Sequence, residues 1–170
     1  DVRWNLLFAK QHGRVRVSVE GATTQYTQRN LSEGSELLVI EFRLGVFMPY
    51  LPARNLLNGV VTLPNSTGHS FWLNGSNWQI PTFDNADIFV DRLVCEGLLL
   101  RDPIVEDVLR GHPQELSIRS LQYRFLHTTG LTQEGIHQIK RARYAMDLLQ
   151  QGTSVIDTVH QAGYFDQPHL

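Results

Sequence analysis

The chain has 170 residues, a hydrophobic fraction of 42% and a formal net charge of −2, which suits one sizeable domain or two small ones with a buried core and argues against a strongly basic nucleic-acid binder. No apolar run approaches the ~18 residues of a membrane span, and the N-terminus lacks the basic, apolar and small-residue zones of a signal peptide, so a cytoplasmic setting without a membrane partner is expected. Cys95 is the only cysteine, which excludes an intrachain disulfide and a cysteine-rich zinc site.

Residues 4–9 are apolar, and over 14–20 Val15, Val17 and Val19 alternate with Arg14, Arg16, Ser18 and Glu20. A period of two marks a half-buried strand, and Gln11-His12-Gly13 between the two runs predicts a hairpin. Turn residues at 21–24 precede a candidate strand at 25–31, and Ser32-Glu33-Gly34-Ser35 precedes a stronger apolar run, ELLVIEFR, at 36–43. Three or four antiparallel strands are expected. Pro52 predicts a short helix at 53–58, and the Gly/Asn/Ser-rich passage after it, with Phe71, Trp72 and Trp78, reads mostly as loop.

From Asp84 the period becomes helical. Ile88, Val90, Leu93, Val94 and Leu98 can share a face, with Asp84 as cap and Gly97 near the end. Asp102-Pro103 opens a second short helix that ends at Gly111. No strand pattern occurs after Leu116. Ser117 caps a helix to about Thr129, closed by Gly130; Thr132 caps a longer one to about Gln151, closed by Gly152; Thr153 or Ser154 caps a third to about Ala162, closed by Gly163. The expected class is α+β: an antiparallel β-rich, sensor-like region over residues 1–80, bridging helices over 81–112, and an all-α module over 113–170 built of two helix-turn-helix units around a long helix.

Catalysis and metal binding need converging side chains, and the sequence offers none. The seven histidines include no pair at H-x-H or H-E-x-x-H spacing, and no phosphate loop, G-x-S-x-G or G-x-G-x-x-G occurs. Cys95 lies in an apolar helical segment with no activating neighbour, and Asp84, Asp87 and Asp91 read as a solvated helix side rather than a calcium loop. No catalytic residue, metal site or cofactor is expected.

On a helical wheel, Ile118, Leu121, Phe125 and Thr128 fall on one side of the helix after Ser117, and Arg119, Gln122, Tyr123 and Leu126 on the other. An arginine fork suits the O6/N7 edge of guanine and a glutamine amide the N6/N7 edge of adenine, as a helix reading the major groove requires. Arg124, near the boundary, can reach a phosphate. Any amphipathic surface helix also turns Arg and Gln outward, so a merely solvated face is the alternative. Ile136, Ile139, Ala142, Met146 and Leu149 form an apolar stripe on the long helix, with Lys140, Arg141 and Arg143 on or near its other face as phosphate contacts or solvated charge.

The segment LSIRSLQYRFLHTTGLTQEGIHQIKRARYAMDLLQQGTSVIDTVHQAGYFDQPHL resembles the DNA-binding module of the AraC/XylS family of bacterial transcription regulators. S-x-x-S-L-Q-x-R-F and T-G-L-T look like the first recognition helix and its exit, R-A-R-x-A-x-x-L-L like the connecting helix, and S-V-I-D-T-V-x-x-A-G-Y-x-D-Q-x-H-L like the second unit. The resemblance implies double-stranded DNA as partner, with Arg119, Gln122 and Tyr123 facing bases. Asp166, Gln167 and His169 would open a second recognition helix, whose remainder the family pattern places after Leu170. It implies that the helix at 105–110 serves as scaffold ahead of the first recognition helix. It also implies that the β-rich region binds a small-molecule effector or mediates homodimerisation, and LLVIEFRLGVFMPYLPARNLLNGVVTL looks like a stretch of such regions: a strand, Arg and Gly, a short helix, then a Val/Leu strand. Trp4, Phe8, Tyr26 and Phe42 with Arg14, Arg16 or Arg43 could line a pocket or simply form core, so ligand residues stay unassigned. The competing reading is a ligand-sensing or protein-interaction module whose helical part does not read DNA.

Overall fold

The structure, a computed structural model, describes residues 2–25, 33–64 and 68–166. Strand β1 (Asn5–Gln11) turns through His12-Gly13 into β2 (Arg14–Glu20), with Phe8 opposite Val17. Both turn residues have positive φ, 49° and 75°, the backbone of a two-residue turn whose twist matches the strands it joins. β3 (Glu36–Glu41) pairs with the other edge of β1. After the short β4 (Val46–Phe47) and a 3-10 turn (Ala53–Asn55), β5 (Val60–Thr62) joins β2. The sheet order is β3-β1-β2-β5, all antiparallel.

Two expectations change here, and a third falls almost wholly outside the described residues. The helix expected at 53–58 is only the 3-10 turn followed by turn backbone. The strand expected at 25–31 lies outside the described residues except for Gln25, which is a bend. The passage read as loop is a hairpin, β6 (Ser70–Leu73) and β7 (Ser76–Gln79), closed by Asn74-Gly75 at φ 48° and 78°. Phe71, Leu73 and Trp78 of this hairpin are fully buried against the sheet.

Helix α1 (Ala86–Cys95) follows a 3-10 turn whose Thr82 N–H donates to Asn85 Oδ1 at 2.8 Å. The face it buries is only partly the expected one, for Leu93 and Leu98 are buried and Val90 half-buried as expected. Phe89 and Leu93 are inside, whereas Ile88 and Val94 are exposed. The reason is tertiary: Phe89 meets Phe8, Trp78 and Phe71 at centroid distances of 5.8, 5.7 and 6.3 Å, and edge-to-face aromatic contacts add to area burial. Arg92 closes the outer side over the Trp78 ring at 4.3 Å.

β8 (Leu100–Arg101) pairs with β4 and leads into α2 (Pro103–Leu109), capped by Asp102 as expected. Then come α3 (Ile118–Thr129), α4 (Gln133–Gln150) and α5 (Val155–Gln161). Among the described residues the fold is thus α+β, with an N-terminal antiparallel sheet and five α-helices, and no helix is long and apolar enough to cross a membrane.

Two apolar centres hold it. One lies between the four-stranded sheet, the β6–β7 hairpin and α1. The other joins Phe125, Ile136 and Val105 of the helices to Val2 and Ala22 at the edge of the β-rich part. A buried side chain of this size contributes roughly 1.5–3 kcal/mol, so the helices are fastened to the β-rich part by core packing.

Candidate nucleic-acid interface

Local chemistry sets the three C-terminal helices. The Ser117 Oγ accepts from Ser120 N–H at 3.2 Å, the Thr132 Oγ1 from Gly135 N–H at 3.0 Å, and the Ser154 Oγ from Asp157 N–H at 3.1 Å. Each satisfies a donor that a helix start leaves unpaired. Gly130 at φ 72° closes α3 and donates its N–H to Leu126 O at 3.1 Å. These ends match the expected ones within a residue or two.

On α3, Phe125 and Thr128 are buried, Leu121 is half-buried, and Arg119, Gln122, Tyr123 and Leu126 are exposed. Ile118 departs from the expected face: it is 76% exposed. Its turn stands at the open mouth of a groove of about 410 Å³ between α3 and the start of α4, lined also by Leu121, Phe125 and His137. The buried hydroxyls of Thr128 and Thr129 donate to the carbonyls of Arg124 and Phe125 at 2.8 and 2.7 Å, which removes the cost of burying them.

The two ends of α3 meet different surroundings. Arg119 and Gln122, in its first half, are open to solvent. In the second half, His127 stacks on Tyr123, which stands at the midpoint, at 5.6 Å and meets Phe47 edge-on at 5.1 Å. Gly130 lies so close to the 3-10 turn that a Cβ would stand 2.8 Å from Ala53 O. Arg124 is turned to the bridging helices: its Nη1 donates to Asp102 Oδ2 at 2.7 Å, while Asp102 Oδ1 accepts from Ile104 N–H at 3.1 Å. Sequence reading saw Asp102 only as a helix opener. Its second role, the tie to α3, spans 22 residues and leaves no local signal.

Helix α4 has 18 residues and so spans about 27 Å. Its apolar stripe is corrected as well. Ile136 is buried and Ile139 half-buried, but Ala142, Met146 and Leu149 are exposed, and Ala145 and Leu148 go inside. Beyond Ile139 the helix packs on α5 rather than on the second apolar centre, and the face it buries rotates accordingly. Arg141 lies over the Tyr164 ring at 4.7 Å; Lys140 and Arg143 line a cleft shared with Arg43 of the β-rich part.

α5 closes at Gly163, φ 70°, and Tyr164 N–H donates back to Val159 O at 2.9 Å. Asp166 follows, half-buried, beside the fully exposed Phe165. Gln167 and His169 lie outside the described residues. Of the expected residues, the structure therefore gathers Arg119, Gln122 and Tyr123 on one exposed helix face, sends Arg124 to Asp102, and sets Asp166 after α5, two residues past the Tyr164 ring that Arg141 of α4 covers. No group of three His, Cys, Asp or Glu that could hold a metal occurs among the described residues. Compared with known proteins, the chain matches no family model, no curated protein and no solved structure.

Proposed function

We propose that the chain is a sequence-specific DNA-binding transcription regulator of AraC/XylS type, with α3 as the first reading helix, α4 as the connecting helix and α5 as the scaffold of a second helix-turn-helix unit that opens at Asp166. The observation that carries this reading is the exposed first half of α3, where Arg119 and Gln122 stand together on a helix capped at Ser117. Those side chains supply the guanidinium donors that match guanine and the amide donor and acceptor that match adenine in the major groove. The ~27 Å of α4 is comparable with the ~34 Å of one duplex turn, so two reading helices can address successive groove segments. The β-rich part acts as the sensing or dimerising region.

Fluorescence anisotropy with DNA from the chain's own promoter region is the test. Affinity should fall steeply with salt and prefer that sequence over a scrambled duplex. Arg119→Ala and Gln122→Ala should each cost about 1–3 kcal/mol and relax preference at one base position. Unchanged base preference in both variants refutes the reading.

The engagement of the second half of α3 with Phe47 and the 3-10 turn favours a second reading. In it the helices serve as an interaction scaffold, and the same variants then leave any DNA affinity untouched.

A further inference from the structure

Among the described residues, the cavity beside Trp4 inside the β-rich part is too small for an effector. Of the aromatic side chains that sequence alone could place around a pocket, Tyr26 lies outside the described residues, and the others are packed ring on ring, Trp4 on Phe42 at 4.0 Å and Phe8 on Phe71 at 5.6 Å. The cavity bounded by Trp4, Gly45, Met48 and Leu56 amounts to about 10 Å³, room for roughly one water. Open clefts of small-molecule size occur elsewhere among the described residues, one of them where the β-rich part meets α4. That cleft has a volume of about 450 Å³, within the roughly 300–1,000 Å³ of ligand sites.

Its walls carry charge of mainly one sign. Arg3 and Arg43 come from the β-rich side, Arg110 from the end of α2, and Lys140 and Arg143 from α4. Leu109 and Ile139 supply apolar lining. The one carboxylate lining the cleft, Glu106, is engaged by Arg101 and Arg110, and Arg3 meets Glu41. The Glu106 carboxyl registers the surrounding field: the Arg101 hydrogen bond and the charges of Arg110, Arg101 and Arg43 hold it below its ordinary range. Cations gathered around one cavity repel each other, and a bound anion relieves that repulsion. Guanidinium forks and an ammonium are also the donors that match phosphate oxygens.

We propose that this cleft binds a small phosphorylated organic molecule, its phosphate held by Arg43 on one wall and by Lys140 and Arg143 on the other, and its body over Leu109 and Ile139. Such a ligand touches the β-rich part and α4 together, and so favours whichever arrangement of the two grips it best. That regulatory consequence rests on the DNA-binding reading above; the site does not. DNA phosphates are the other source of the same chemistry. Donors from several elements converging on one cavity suit an isolated phosphate, whereas a duplex presents phosphates in a row.

Calorimetry and thermal unfolding of the full chain at low salt, with phenyl phosphate, inorganic phosphate and phenol as probes, test the site. Phenyl phosphate should bind, more tightly than inorganic phosphate, and raise the melting temperature, as a ligand of the native state does; phenol should do neither. The double variant Lys140→Gln/Arg143→Gln should still unfold cooperatively and bind at least tenfold more weakly. Lys140→Arg, which keeps the charge, should bind as the parent does. Excess scrambled duplex DNA, which lacks the promoter sequence, should leave phenyl phosphate affinity within twofold. No binding of either phosphate, unchanged affinity in the double variant, or displacement by scrambled duplex overturns the proposal. Phosphate binding in a chain that binds no promoter DNA refutes the regulator reading and supports the site.

Discussion

Asp102→Ala removes two interactions held by one side chain: the cap for Ile104 N–H at 3.1 Å and the ion pair with Arg124 at 2.7 Å. Losing an N-cap costs about 1 kcal/mol. The ion pair is neither open nor sealed, since the Arg124 side chain is 39% exposed and that of Asp102 11%. Solvent screening therefore brings this charge-assisted hydrogen bond down to about 1 kcal/mol. The expected loss is about 2 kcal/mol, a fall in Tm of roughly 4–8 °C for a chain of this size. Urea unfolding of D102A, R124A and the double variant gives the coupling directly, expected at about 1 kcal/mol. D102N keeps the cap and loses only the ionic part, so it should fall between D102A and the parent. A D102A cost below about 0.5 kcal/mol, or strictly additive single variants, would refute the tie between α2 and α3.

Gly130→Ala forces a Cβ at φ 72° to within 2.8 Å of the Ala53 carbonyl oxygen, so left-handed strain and steric displacement together should cost roughly 2–4 kcal/mol in chemical unfolding. Gly152→Ala, at φ 85° with nothing within 4 Å, should cost only about 1–2 kcal/mol; equal costs would contradict the close approach of α3 to the 3-10 turn. Glu106 is ionised more easily when folded, first through the Arg101 hydrogen bond and then through Arg110, Arg101 and Arg43. A carboxyl depressed below its ordinary 4.5 stabilises the fold above that pH and loses the contribution as pH falls through its folded value. The stability difference between parent and Glu106→Gln should therefore be flat above about pH 5.5 and shrink below about pH 4.5. A difference unchanged down to pH 3 argues against the arginine cage.

What was legible in the sequence was what is decided locally. Ser117, Thr132 and Ser154 start helices through bonds reaching three residues on, and Gly130, Gly152 and Gly163 end them through their own φ, so the last three helices read correctly from sequence. The β1–β2 hairpin was legible for the same reason. The β6–β7 hairpin carried a usable signal, Asn74-Gly75 between Leu73 and Ser76, which the surrounding polar residues obscured. The buried faces were another matter. Phe89 rather than Ile88 turns inward because Phe71 and Trp78 wait there, and Ala145 rather than Ala142 because α5 lies on that side. At the candidate site, the outward set Arg119, Gln122 and Tyr123 followed from helical period alone. The Asp102–Arg124 pair and the cationic cleft could not, since the pair spans 22 residues, the cleft draws on separate segments from Arg3 to Arg143, and only the fold assembles them.

The second apolar centre closes Val2 and Ala22 against Phe125 and Ile136. During synthesis, at roughly 5–20 residues per second, its two sides leave the ribosome on the order of ten seconds apart. The sheet can pair early, but Val2 and Ala22 stay wet until α3 and α4 arrive. A nascent chain of this protein therefore carries a sticky, unfinished flank throughout the synthesis of the residues between Ala22 and α3, a natural target for a holding chaperone.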